Sequence, residues 1–157
     1  MKQRSKPETR TKFIPSTLAH RARLLRLIEA YYRFDQILFR RSTIEASLAT
    51  LLADNSLGRA WLIRFAGCDA GYVIVTFGYD LEFGGRQATL TDLYIVEKYR
   101  RMGLGKSALG LVAITCRTMG ITTLELQVER HNRAAQAFYR KLGFEEHDRI
   151  PMSKSLT

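Results

Sequence analysis

Apolar positions recur along this chain with two periods, and the switch between them marks most of its elements. Leu18, Ala22, Leu25, Ile28 and Tyr32 follow one another at spacings of three and four, which predicts an amphipathic helix over about residues 17 to 33 with Ser16 or Thr17 as its N-cap. Arg21, Arg23, Arg26 and Arg33 fall mostly off that stripe. Ile44, Leu48, Leu51 and Leu52 predict a second helix over about 43 to 53, stopped by Asp54-Asn55-Ser56. The pattern then turns to alternation. Residues 60 to 66, 71 to 83 and 86 to 96 are rich in β-branched and aromatic side chains, and Gly84-Gly85 supplies the turn of a hairpin between the last two. Residues 103 to 119 predict a well-buried helix ended by Gly120, 121 to 128 a strand, and 132 to 142 a helix closed by Gly143. Short strands are expected at 11 to 14, 144 to 147 and 150 to 155. Strand 86–96, helix 103–119 and strand 121–128 form a βαβ unit, whose two strands run parallel with a right-handed crossover. The fold class is therefore α/β with a mixed sheet, antiparallel first and parallel later.

Composition sharpens the picture only in part. The chain has 157 residues, 46% of them hydrophobic, enough for one domain over residues 11 to 157 behind a loose basic tail at 1 to 10. The net charge of +10 favours anionic partners, among them nucleic acid, membrane surfaces and polyphosphorylated cofactors. Cys68 and Cys116 form no CxxC pair, so neither a disulfide framework nor a zinc site is indicated and a reducing cytoplasm is the expected compartment. His20, His131 and His147 lack metal-ligand spacing. The N-terminal residues lack the apolar stretch of a signal peptide, and no apolar run reaches the length of about 18 residues that suggests a membrane span.

The chemistry concentrates at residues 100 to 108, Arg-Arg-Met-Gly-Leu-Gly-Lys-Ser-Ala, where an alternating strand runs into a basic, glycine-punctuated turn that opens a helix. Free N–H groups of a first helical turn, with the positive end of the helix dipole behind them, make an anion cradle. Three phosphate-binding readings compete for it. The Gly-Lys-Ser triplet suggests a P-loop, but Arg100 stands where that motif needs glycine. Gly103-x-Gly105-x-x-Ala108 matches a permissive dinucleotide fingerprint, with Glu125 twenty residues after Gly105. Only 52 residues follow Gly105, too few for the second nucleotide-binding half of such a fold.

The third reading is Arg100-x-x-Gly103-x-Gly105, and with Asn132-Arg-Ala-Ala-Gln-Ala-Phe-Tyr139-Arg-Lys-Leu-Gly143-Phe144 it resembles the two signatures of the GCN5-related N-acetyltransferase (GNAT) superfamily. The resemblance implies that Tyr94, Ile95 and Val96 line a V-shaped slot for pantetheine, with main-chain groups of Tyr94 and Val96 bonding it as an added strand. It further implies that the amides of Arg101, Met102, Gly103, Leu104, Gly105 and Lys106 hold the pyrophosphate of acetyl-CoA, with Arg100, Arg133 or Arg140 near the 3′-phosphate and Asn132 as N-cap and coenzyme contact. The chain departs from the common pattern at Arg101, where glycine is frequent, and at Glu97 and Lys98, where proline is.

Acetyl transfer from a thioester to an amine calls for a base and an acid, because an amine with a pKa of about 10.4 arrives protonated and the departing thiolate takes up a proton. The resemblance makes Tyr139 the acid. Asp92 stands on the strand leading into the cradle, as a base through water, as a binding site for the substrate's ammonium, or as a carboxylate paired with Arg86 or Lys98. Glu82 on the neighbouring strand is a candidate to share its work. Glu29 and Tyr31 are placed as substrate-side groups on the first helix, although Arg33 offers Glu29 an ordinary helical ion pair. The expected activity is acetyl-CoA-dependent N-acetylation of a cationic small-molecule amine, with no metal. A protein N-terminus or lysine is the alternative acceptor, and a nucleic-acid- or ribosome-binding module using Arg21, Arg23, Arg26, Arg40 and Arg41 is the alternative class. A homodimer is compatible with the sequence.

Overall fold

The computed structural model describes residues 11–157; the tail expected at residues 1 to 10 lies outside the described residues. The elements in order are β1 (Lys12–Pro15), α1 (Arg21–Phe34), α2 (Arg41–Ala53), β2 (Gly58–Phe65), β3 (Cys68–Asp80), β4 (Gly85–Ile95), α3 (Leu104–Thr118), β5 (Leu124–Leu126) and α4 (Arg133–Lys141). One compact unit runs through Gln127 and a second covers Val128–Thr157, and each is described by itself.

In the first unit the described residues form a five-stranded sheet in the order β1-β2-β3-β4-β5. The first four strands are antiparallel neighbours, and β5 joins β4 in parallel, as a βαβ crossover through α3 requires. β1 is an edge strand, which is why it tolerates Pro15 as its last residue. Both faces of the sheet are buried, so its central strands read as long apolar runs rather than clean alternation. On one face Leu62, Tyr72, Ile74 and Tyr94 pack with Leu24, Leu25, Leu27 and Ile28 of α1 and Leu48 of α2. Burying each such leucine contributes about 1.5–3 kcal/mol. Ile63, Val73, Val75, Ala88 and Leu90 are also buried, and α3 packs against β4.

The two terminal strands expected at 144 to 147 and 150 to 155 do not form: these residues carry no strand pairing, and Ile150 and Met152 are 77% and 92% exposed. Alternation gives a segment the right side chains, but a strand exists only with a partner ladder. For the same reason the strand expected over 121 to 128 contracts to Leu124–Leu126, the three residues that pair with β4. Cys68 is exposed, whereas Cys116 is buried, and both are free thiols.

α1 is tied to the start of β3 by a partly buried ion pair. Arg23 meets Asp69 in a bidentate contact, Nε to Oδ2 at 2.9 Å and Nη2 to Oδ1 at 2.5 Å, with Arg64 Nε at 3.6 Å. The hydrogen bond from Arg23 holds the Asp69 carboxyl below the usual carboxylate range, and burial acts against it. A depressed folded pKa stabilises the protein above the ordinary carboxylate range, and that contribution disappears as pH falls through the folded value. Asp69→Asn is therefore expected to cost about 1–2 kcal/mol at neutral pH in a denaturant titration, with the gap to wild type closing in strong acid.

Candidate active site

The turn into α3 is built as the sequence reading requires. Gly103 is the helix N-cap at φ 79°, in the left-handed region, with no side-chain cap, and the first bond of the helix ladder runs from Ser107 N–H to the Gly103 carbonyl at 3.0 Å. The amides of Gly103, Leu104, Gly105 and Lys106 thus have no intrahelical acceptor and point out of the helix end. A Cβ at Gly103 would meet nothing within 4 Å, so glycine serves the backbone there rather than the available space. Arg101 also takes a left-handed φ of 62°, which is why a glycine is natural at that place. Arg101, Met102 and Lys106 are exposed around the turn.

The strand feeding this turn carries the second feature. β3 pairs Ile74 with Asp92 and Val75 with Leu90, leaving Thr91 as an extra residue, a β-bulge. Pairing with β5 ends at the same point, with Leu90 opposite Leu126. Beyond it, β4 continues through Ile95 with its β5-side edge unpaired among the described strands. The bulge also exchanges faces. Simple alternation would put Asp92 and Tyr94 on the side of Leu90; the extra residue turns them instead toward α1, beside Tyr72 and Ile74.

The main-chain groups on this open edge differ from expectation by one residue. Val96 N–H donates to the Ala70 carbonyl and the Val96 carbonyl accepts from Tyr99 N–H, both at 2.8 Å, so neither group is unpaired. Ladder alternation directs Tyr94 toward β3 as well, leaving the groups of Leu93 and Ile95 facing the open edge. Hydrogen-bonding phase is set by partner and bulge, which the residue pattern of one strand does not reveal.

Asp92 lies half-buried among tyrosines. Its Oδ2 accepts a hydrogen bond from the Tyr72 hydroxyl at 3.0 Å, and Tyr72 is 0% exposed. The Tyr94 ring stands 5.7 Å from Tyr31 and 6.2 Å from Tyr72, and Tyr32 lies 5.7 Å from Tyr31. Burial raises the Asp92 carboxyl above its ordinary pKa, and the Tyr72 hydrogen bond pulls the other way. Burial and the Asp92 charge together raise the phenols of Tyr32 and, more strongly, Tyr72. The ion pairs considered for Asp92 are not formed: Arg86 stacks over Phe77 at 5.3 Å and Lys98 over Tyr99 at 4.8 Å.

Other expected site residues are distributed more widely. Arg100 turns toward α1, its guanidinium 4.2 Å from the Phe34 ring centre and 5.7 Å from that of Tyr94, with Nε donating to the Ile95 carbonyl at 2.8 Å. Glu29 bridges α1 and α2, 3.6 Å from Arg33 and 3.7 Å from Arg41. Glu82 sits in the turn beyond the Asp80–Gly85 end of the hairpin, seven strand residues from Asp92 or about 23 Å along β4, so it does not share a site with Asp92. Among the described residues no group of His, Cys, Asp and Glu could hold a metal ion. Tyr72 is the residue that sequence reading missed. Twenty positions from Asp92, it looks like one more core aromatic until the strand register is known.

In the second unit Asn132 caps α4 as expected, its side-chain oxygen accepting from Ala135 N–H at 3.1 Å, and Arg133 is exposed in the first turn. Gln136, 8% exposed, donates to the carbonyls of Glu129 and Arg130 at 2.9 Å each and so fixes the preceding loop. Tyr139 packs against Phe138 and Phe144 at 5.2 and 5.5 Å, and its hydroxyl makes no hydrogen bond among the described residues. Burial raises its phenol above the ordinary value.

A mixed sheet whose parallel pairing ends at a bulge, beside a helix end carrying free amides, defines an α/β class. The chain belongs to the acetyltransferase (GNAT) family, whose model matches residues 22–144. It is 39% identical over 71 residues to the uncharacterized N-acetyltransferase YycN of Bacillus subtilis, covering 45% of each chain. It is 32% identical over 79 residues to the thialysine N-epsilon-acetyltransferase of Bos taurus, covering 50% of this chain and 46% of that one. The chain thus spans about half the length of the curated relatives it matches. The fold is that of the aminoglycoside N-acetyltransferase AAC(6')-Iy solved in complex with CoA, with a TM-score of 0.83 over 100% of both chains at 14% identity. No helix among the described residues is long and apolar enough to cross a membrane.

Proposed function

We propose that the chain transfers acetyl from acetyl-CoA to a cationic primary amine, with Asp92 serving the amine and Tyr139 the leaving thiolate. The observation that carries this reading is the bulge at Thr91, which turns a half-buried carboxylate to the α1 face of the strand that leads into the uncapped α3. The amides of Gly103 to Lys106 suit the pyrophosphate, and the main-chain groups of Leu93 with the N–H of Ile95 suit a pantetheine amide laid along the edge. Arg100 already occupies the Ile95 carbonyl, so its part in holding coenzyme phosphates is not the one its own contacts favour.

The amine arrives as an ammonium between a carboxylate and tyrosine faces, both of which attract a cation. It gives one proton to Asp92, directly or through water, and its lone pair attacks the thioester carbon. A C–N bond forms and the C–S bond breaks. The thiolate takes the proton of the Tyr139 hydroxyl, the nitrogen loses its second proton to solvent, and solvent restores the phenol. The raised phenol pKa supports Tyr139 as a group that is protonated before the thiolate forms.

Relatives named for thialysine and aminoglycosides fit an amine acceptor of cationic character. The nucleic-acid alternative is weakened because Arg21, Arg23 and Arg41 are engaged in ion pairs with Glu45, Asp69 and Glu29. The direct test follows free thiol released from acetyl-CoA across a library of diamines, aminoglycosides, lysine analogues and peptides with free N-termini. Turnover with cationic amines is expected; CoA binding without turnover on any amine overturns the reading. Gly103→Ala is expected to lower unfolding free energy by about 1 kcal/mol through its left-handed φ. It should also weaken CoA binding about tenfold in calorimetry, because the cradle turn shifts.

A further inference from the structure

We infer that Tyr72 is the positioning residue for Asp92: it fixes Oδ2 of the carboxylate so that the acceptor amine meets it in one orientation and charge state. The inference rests on the reading of Asp92 given above and extends it to a residue that never touches substrate. Tyr72 lies 0% exposed under α1, on the strand beside β4, and its hydroxyl reaches Asp92 diagonally at 3.0 Å. A tyrosine with no solvent exposure needs a partner for its O–H, and placing that partner at the bulge makes one hydrogen bond serve both groups.

The surroundings leave few other groups to do this. From α1, Tyr31 and Tyr32 face the site, and Tyr31 hydroxyl also donates to Asp35 at 3.3 Å. From β4 itself comes Tyr94, with the Arg100 guanidinium 5.7 Å from its ring. Val73 and Val75, which flank Ile74 on β3, bring no polar side chain, and Ile74 stands directly across from Asp92. Arg86 and Lys98 are stacked on other rings, and the hydrogen bond from Tyr72 favours the ionised form of Asp92. The Tyr72 phenol keeps its proton through the working pH range because burial and the adjacent carboxylate both oppose ionisation, so it is a donor throughout.

Tyr72→Phe removes one oxygen and leaves the ring in place. Losing a donor to a carboxylate raises that carboxylate's pKa. The expected result is a rise in the midpoint at which Asp92 titrates, read by carbon-detected NMR on protein labelled at the aspartate carboxyl, with the Asp92 resonance assigned by its loss in Asp92→Asn. The acid limb of the rate profile for thiol release should move to higher pH in parallel, with kcat at neutral pH falling about tenfold, the lower end of what loss of an orienting partner costs. CoA affinity should be unchanged in calorimetry. A role confined to packing would lower thermal stability and leave both pH readouts where they were, and that outcome overturns the inference while sparing Asp92. If Asp92→Asn itself leaves rate and acid limb untouched, the reading of Asp92 fails and this inference fails with it.

Discussion

Tyr139→Phe is expected to lower kcat for thiol release by about 10²-fold, with KM for acetyl-CoA unchanged. The substitution deletes only the hydroxyl. The ring contacts with Phe138 and Phe144 at 5.2 and 5.5 Å remain, so α4 should keep its packing. Because that hydroxyl bonds nothing among the described residues, its removal leaves no partner unsatisfied and should cost little stability. A drop in turnover without a drop in melting temperature therefore separates chemistry from folding. Acetyl thioester donors with a more acidic thiol should be less affected, since their leaving group needs the proton less. Unchanged kcat would remove Tyr139 from the mechanism and leave it as the aromatic centre of the second unit.

Asp92→Asn should act on the other side of the reaction. We expect kcat/KM for the amine to fall by about 10²–10³-fold, the loss of a general base combined with that of a charge partner. The asparagine keeps the shape but accepts no proton. In the wild type, burial raises the carboxyl pKa, so activity should climb as pH rises through that raised value and the base becomes ionised. In the variant that limb should vanish, leaving a profile governed by ionisation of the free amine. Retention of the acid limb in Asp92→Asn would assign it to another group.

The turn into α3 was legible from sequence because its determinants are local. A left-handed N-cap at Gly103, uncapped amides and adjacent basic residues all follow from a nine-residue string. The mixed sheet was legible for a related reason: β4, α3 and β5 follow one another, and chirality leaves few ways to connect them. What failed was non-local. Glu82 looked like a neighbour of Asp92 because it lies on the adjoining segment, yet hairpin register places it at the far end. The resemblance implied an edge role for the main chain of Val96, yet its N–H donates to the Ala70 carbonyl. Tyr72 and Asp92 meet only because β3 and β4 pair in one register, and periodicity in either strand says nothing of it. Ile150 and Met152 carry a strand's alternation without a strand's partner.

Thr91 gives β4 something like a reading frame. Every residue after it meets the layer it does because one residue before it has no counterpart on β3. Substitutions downstream can retune the wall around Asp92 one side chain at a time. One residue added to β3 opposite Thr91 would instead turn Asp92 and Tyr94 to the α3 layer and present Leu93 and Ile95 to α1, with no change in amino-acid type at any of these positions. The wall around Asp92 is thus open to gradual change by substitution, while the face its residues meet is set as a block by the one-residue difference between β4 and β3.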